Sequence, residues 1–215
     1  MVSPRTFIQT HLDLIPAPSV PEIRLYRAHP RSGLSRLLGE DGVQPYWAYG
    51  WAGGTVLARY LLDHPGVCAG RRVIDLGTGS GIAAIAAART SAMSVTAVDI
   101  DAHAVAAATL NAEANDVDLT LVHADGLDGP PPDADLILVS DLFYDKATAE
   151  RLTTFLLTFD GEILVGDPGR AYLPRAHLQP VAAYDVPDFG VGHTGKPSAV
   201  YRFKAQGREP LDPET

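Results

Sequence analysis

From residue 72 onward the chain alternates short apolar runs with amphipathic or Ala-rich segments. The runs at 72–76, 94–98, 119–122, 135–140 and 161–166 are predicted strands, and 80–90, 101–114 and 146–158 are predicted helices. Near-continuous apolar strands separated by helices imply a parallel sheet covered on both faces. Only Asp125 to Asp133, rich in Gly and Pro, separates the third strand from the fourth, so a helix there is short or missing. Two extended segments, 179–186 and 198–204, follow without a good helix between them and are expected to close the sheet as an antiparallel hairpin. Upstream, the helical spacing of Val56, Leu57, Tyr60 and Leu61 predicts a helix from about Ala52 to Leu62, stopping near Asp63-His64-Pro65-Gly66. Phe7, Ile8, His11, Leu12 and Leu14 suggest a short helix ending before Pro16. Ile23 to Ala28 alternates as a strand, and Ser32 to Leu38 reads as a short helix closed by Gly39. The expected division is an N-terminal extension over 1–45, one α/β domain over 46–205 and a disordered tail over 206–215.

The first strand of the alternating region, Val73-Ile74-Asp75-Leu76, runs directly into Gly77-Thr78-Gly79-Ser80-Gly81 and then into the Ala-rich helix from Ile82. Glycines at alternate positions permit a sharp turn and let a ligand lie on the main chain at the carboxyl end of a strand, where open α/β sheets bind nucleotides. The next strand ends at Asp99, placed to accept both hydroxyls of a ribose. A dinucleotide fingerprint would carry its third glycine at the position of Ile82, and a phosphate-gripping Gly-Lys-Ser/Thr is absent. A carboxylate at Asp75 would repel a pyrophosphate and suit a cationic ligand instead. S-adenosylmethionine meets these conditions, having a sulfonium, an amino group, a ribose and no phosphate. The arrangement resembles motif I of the seven-stranded class I methyltransferases.

Composition narrows the field further. The 215 residues suit one domain with a substantial core, with 46% hydrophobic and 20% charged residues. The net charge of −9 argues against a general nucleic-acid binder and is compatible with a cationic substrate such as a lysine-bearing protein. Cys68 is the one cysteine, so neither a disulfide nor a cysteine-based metal site forms within the chain, and it reads as a small buried residue. The seven histidines form no ligand pair, and no metal is expected. The longest apolar run, Ile82 to Ala88, is too short to span a membrane, and a cytoplasmic location without membrane partners is expected.

Catalytic groups in such a sheet stand at the carboxyl ends of strands, where Asp75, Asp99, Asp141 and Asp167 fall, with Asp125 just past the third strand. Any one of them also reads as a helix cap or turn residue, Asp125 because Asp-Gly is a common turn and Asp101 because it precedes a helix. Methyl transfer to lysine requires a steered amine that has lost its proton, against a free pKa of about 10.4. A carboxylate orients the ammonium, and aromatic faces hold it while excluding water. Asp141, with Phe143 and Tyr144 close behind, offers both, although an aromatic pair after a strand is also ordinary core.

Asp141-Leu142-Phe143-Tyr144 after the fourth strand resembles the Asp-x-x-Tyr motif of seven-strand lysine methyltransferases. Pro45-Tyr46-Trp47-Ala48-Tyr49-Gly50-Trp51-Ala52-Gly53-Gly54 and Gly166-Asp167-Pro168-Gly169-Arg170 are similar to segments of the electron transfer flavoprotein β-subunit lysine methyltransferases. Ala52 stands where that family has Pro and Thr55 where it usually has Gln, and the first 40 residues match nothing placed. The likeness covers roughly residues 44 to 203. It implies a Rossmann-like class I methyltransferase sheet, mostly parallel with an antiparallel last strand, in the order 3-2-1-4-5-7-6. It implies S-adenosyl-L-methionine as cofactor and a protein substrate, electron transfer flavoprotein β. By position, Trp51, Gly53, Gly54, Asp75, Gly77, Gly79, Asp99 and Asp125 would hold the cofactor, Asp141 and Tyr144 would be catalytic, and Trp47, Phe143, Asp167 and Arg170 would shape the substrate side. A methyltransferase for a small molecule or another protein residue, and a non-catalytic adenosine-binding module, stay open at this point.

Overall fold

The computed structural model describes residues 3–38, 44–188 and 196–204. The expected closure at Gly39 and the expected tail over 206–215 lie outside these residues. The chain opens with helix α1 (Pro4–His11), capped by the Ser3 hydroxyl on the Thr6 N–H. An antiparallel hairpin of β1 (Asp13–Ala17) and β2 (Val20–Arg27) follows, then a short α2 (Ser35–Leu38) and a 310 turn over Tyr46–Ala48. The long helix α3 (Ala52–Asp63) leads into the sheet. Strands β3 (Arg72–Leu76), β4 (Ser94–Asp99), β5 (Thr120–His123), β6 (Leu136–Ser140) and β7 (Glu162–Asp167) alternate with α4 (Ile82–Arg89), α5 (Ala102–Ala114) and α6 (Lys146–Leu156), and β8 (Leu178–Val186) and β9 (Lys196–Phe203) complete it.

The seven strands lie in the order β5-β4-β3-β6-β7-β9-β8. Counted from the first strand of the sheet this is 3-2-1-4-5-7-6, as expected. The five strands β3 to β7 are parallel, and β9 runs antiparallel between β7 and β8. No helix stands between β5 and β6, where the sequence is rich in Gly and Pro. Asp101 caps α5 through the His103 N–H at 2.8 Å, as its position before the helix predicts.

One face of the sheet packs on α3 and α4 through Val56, Leu57, Leu61, Ala84 and Ile85, the other on α6 through Leu152, Phe155 and Leu156. Val20, Ile23 and Leu25 of the hairpin belong to the first of these cores, so residues expected as an extension are built into the domain. Helix α5 holds the hairpin with two buried asparagines one turn apart. Asn111 Oδ1 accepts from the Tyr26 N–H at 2.8 Å, and Asn115 Oδ1 accepts from the Arg24 N–H at 2.9 Å. Asn115 also donates to the Arg24 carbonyl, and Asn111 donates to the Ser80 carbonyl in the glycine-rich turn. A helix side chain thus takes the place of a neighbouring strand for β2, satisfying backbone groups that would otherwise be buried unpaired. Cys68 is fully buried, and burial pushes its thiol up to about 11, in keeping with a packing residue.

Candidate active site

The turn after β3 depends on left-handed backbone at Gly77 (φ 63°), Gly79 (φ 53°) and Gly81 (φ 83°). Gly77 also needs the space, since a Cβ there would lie 2.7 Å from the Leu142 side chain. Asp99, the last residue of β4, reaches back to this turn. Its Oδ2 accepts from the Gly79 N–H at 2.8 Å and its Oδ1 from the Asp101 N–H at 2.9 Å. Burial raises the Asp99 pKa above the usual carboxylate range. Asp99 and Gly79 both line a cavity of about 540 Å³, and a carboxylate with one or two donors per side keeps acceptor capacity for a ligand there.

Asp141 follows β6 at φ 56°, a left-handed conformation that is uncommon outside glycine and concentrates at functional sites. Its Oδ1 accepts from Arg170 Nε at 2.9 Å and Nη2 at 2.8 Å, and its Oδ2 accepts from the Gly53 N–H. Its side chain is 12% exposed. Burial pushes its pKa up to about 6, with Arg170 pulling against that rise and the nearby Asp167 charge adding to it. Arg170 is shared: it also pairs with Asp188 at 3.0 Å, and its guanidinium lies 5.6 Å over the Trp51 ring. Asp188 in turn accepts from the Ala52 N–H at 3.2 Å, tying the segment after β8 to the start of α3.

Three aromatic rings stand beside this cluster on the cavity wall. Tyr46 lies 5.7 Å from Trp51 and 5.6 Å from Tyr144, and the Trp51 indole donates to the Tyr46 carbonyl at 2.7 Å. Tyr46 and Tyr144 remain 45% and 49% exposed while lining the cavity. Burial raises the Tyr144 pKa further.

The structure brings most of the expected site residues to one cavity. Trp51, Gly54, Gly77, Gly79, Asp99, Asp125, Asp141, Tyr144 and Arg170 all line it. Five others are placed differently. Asp75 is fully buried beneath the turn, its Oδ2 bonded to the Thr78 hydroxyl at 2.6 Å, and burial pushes its pKa up to about 7. It shapes the turn and does not line the cavity. Phe143 is 0% exposed and packs on the α6 side of the sheet, leaving Tyr144 to face the cavity. Gly53 does not line the cavity. It gives α3 a close approach to β7, because a Cβ there would overlap the Gly166 carbonyl and Asp141. Asp167 is fully buried, accepts from the Gly169 and Arg170 N–H groups at 2.6 Å each, and so holds the loop that carries Arg170 without lining the cavity itself. Trp47 lines the cavity but stacks on His103 at 6.5 Å with its backbone beside Gly79, on the glycine-turn side and apart from Asp141. Asp125 is on the wall, ion-paired to Arg151, which lowers its pKa.

Tyr46, Asp188 and Arg27 belong to the site without having been singled out from the sequence. Tyr46 stands in the aromatic segment Pro45–Gly54, where its ring is the available signal. Asp188 and Arg27 stand in segments with no motif.

A family described as ribosomal protein L11 methyltransferase matches residues 51–142. The chain is 40% identical over 196 residues to the electron transfer flavoprotein beta subunit lysine methyltransferase of Xenopus laevis, covering 86% of this chain and 80% of that protein. It is 44% identical over 175 residues to the Danio rerio protein of the same name, covering 75% and 67%. Among solved structures, the ribosomal protein L11 methylase of Lactobacillus delbrueckii subsp. bulgaricus superposes with a TM-score of 0.52 at 26% identity, over 73% of this chain and 80% of that one. TrmN from Thermus thermophilus gives 0.52 at 24% identity, over 68% and 47%, a likeness of fold.

Proposed function

This chain belongs to the electron transfer flavoprotein beta subunit lysine methyltransferase family, and from that premise we propose that it methylates lysine side chains of electron transfer flavoprotein β, with Asp141 and the rings around it receiving the amine. It is an S-adenosylmethionine-dependent methyltransferase. The observation that carries the substrate reading is the juxtaposition of Asp141 with Tyr46, Trp51 and Tyr144 on one cavity wall.

The residues present suit the cofactor. Asp99 keeps acceptor capacity for a ribose, the glycine turn leaves its backbone uncovered, and the carboxylates of Asp99, Asp125 and Asp141 make the wall favourable to a cation. When bound, S-adenosylmethionine supplies an activated methyl group on a sulfonium. The chain's own residues then have to present a neutral amine in line with it. Aromatic faces attract an ammonium within about 6 Å and exclude water, which favours loss of its proton. An isolated carboxylate would oppose that loss by stabilising the charged amine. Arg170 already pairs with Asp141, so this carboxylate accepts a hydrogen bond from the amine with a weaker preference for the ammonium. Asp141, Tyr46, Trp51 and Tyr144 would hold the lysine Nζ, its proton already lost to solvent, facing the methyl group that the bound cofactor would donate. Positioning and exclusion of water account for most of the catalysis. A cytoplasmic setting, where cofactor and folded substrate meet, belongs to the same proposal.

The test is incubation of the pure protein with labelled cofactor and purified electron transfer flavoprotein, followed by mass spectrometry. Methyl increments on β-subunit lysines support the proposal. Labelling confined to a small metabolite, or to a non-lysine residue, overturns it. Lysine labelling of a different protein removes the named substrate.

A further inference from the structure

Three arginines line the cavity, and two of them are paired with carboxylates. Arg151 is bound by Asp125 and Asp128, and Arg170 by Asp141 and Asp188. The third, Arg27 at the end of β2, has no partner of either kind among the described residues. Its Nε is buried without a hydrogen bond. Its cross-strand neighbour Asp13 is exposed and makes no ion pair with it. The other cavity acids are engaged elsewhere: Asp99 by the Gly79 and Asp101 N–H groups and Asp101 by the α5 cap. Gly50 leaves room for the guanidinium, since a Cβ there would stand 3.2 Å from its Nη2. Desolvation of this half-buried cation is uncompensated and lowers its pKa.

An uncompensated guanidinium on the wall of a ligand cavity calls for an anion, and the fork of N–H donors matches a carboxylate. Building on the cofactor reading above, we infer that Arg27 binds the α-carboxylate of the amino-acid end of S-adenosylmethionine. That ligand carries one carboxylate, a sulfonium and an ammonium. The cavity answers with one unpaired arginine in a wall otherwise rich in acids. The backbone of β2 is fixed in turn by Asn111 and Asn115, so the N-terminal hairpin becomes part of the cofactor site. A carboxylate of the protein substrate is the other source of the same chemistry, and the arms of the experiment separate the two.

The experiment is calorimetry with S-adenosylhomocysteine and its decarboxylated counterpart, which retains the amino group. The native protein should bind the decarboxylated ligand about 10- to 100-fold more weakly, the range expected for loss of a charge-assisted pair. In Arg27→Met the affinity for S-adenosylhomocysteine should fall by the same factor, and the gap between the two ligands should close to within about twofold. Thermal unfolding without ligand should show Arg27→Met no less stable than the native chain, because an unpaired charge has been removed. The measurement on the native protein stands even if the variant folds poorly. Equal binding of the two ligands by the native protein overturns the inference, and so does an undiminished gap in Arg27→Met. A raised KM for the protein substrate with unchanged cofactor affinity would assign Arg27 to the substrate instead. Failure of the native protein to bind S-adenosylhomocysteine would count against the cofactor reading itself.

Discussion

Replacing Asp141 with Asn separates catalysis from stability, and the structure allows both to be estimated. Asn tolerates the left-handed φ of 56° about as well as Asp, so the backbone is undisturbed. The carboxylate accepts two N–H groups from Arg170 and one from Gly53. The amide must turn its NH2 toward one of these donors, losing a bond to a charged group worth about 1.5–3 kcal/mol. Against that loss stands relief of a buried charge. A carboxyl displaced from 3.8 to about 6 carries an ionised-state penalty of about 3 kcal/mol above that pH. The rise to about 6 is already net of the Arg170 and Gly53 bonds, so the two figures are not summed, and urea unfolding at pH 7.5 should place Asp141→Asn within about 3 kcal/mol of the native chain. Turnover should fall by about 100-fold or more, since the group facing the amine has lost its charge. The pH dependence adds a second signature. Between about 4 and 6 the folded state holds the Asp141 proton more tightly than the unfolded state does. The native chain therefore loses stability as pH rises through this window, and the Asn variant lacks that component. Full activity in Asp141→Asn would refute the catalytic role, as would a stability loss above about 4 kcal/mol that accounts for the inactivity.

Asp99→Ala should weaken S-adenosylhomocysteine binding by more than tenfold in calorimetry, because Asp99 lines the cavity at the edge of the glycine turn and keeps acceptor capacity for the ribose hydroxyls. Tyr46→Ala should raise KM for the protein substrate by about 2- to 30-fold in steady-state kinetics, the range of one cation–π contact, with cofactor affinity unchanged. Asn111→Ala should lower stability to urea by about 2–4 kcal/mol, since it strands the Tyr26 N–H and the Ser80 carbonyl in a buried contact. The single-turnover rate should rise with pH between about 7 and 9 as the substrate lysine loses its proton, and fall below about 6 where Asp141 is protonated.

The sheet was legible because buried parallel strands are written as unbroken apolar runs, and one of its helices because Asp101 marks its start. The hairpin was half legible. Strand β2 shows alternation at Ile23 and Leu25, whereas β1 carries Pro16 and an exposed Asp13, so Leu14 was read as the end of a helix. At the site, two acids at strand ends look alike in sequence and part company in space. Asp75 is paired on both sides, opposite Ala97 of β4 and Leu138 of β6, and helices cover its faces. Asp99 is the last residue of its strand, opposite His123 of the edge strand β5, and emerges into the cavity. Phe143 and Tyr144 pose the same problem over one peptide unit: the loop buries the first and exposes the second, and aromatic character alone does not say which.

Residues that sequence reading missed share a cause. Asn111 and Asp188 act through partners 85 and 136 positions away and Arg27 through a cavity assembled from distant segments, and none sits in a short motif. Each is a polar group in a partly or fully buried place, where an unpaired group is expensive. Asn111 and Asp188 resolve that expense within the protein, by bonding Tyr26, Ser80, Ala52 and Arg170. Arg27 does not. Apolar packing would have been satisfied by Leu or Met at that position, beside Leu25 on the same cavity wall. A charge retained there without a protein partner is the pattern expected of a group whose partner is the ligand, with some stability of the unliganded protein given up in favour of binding.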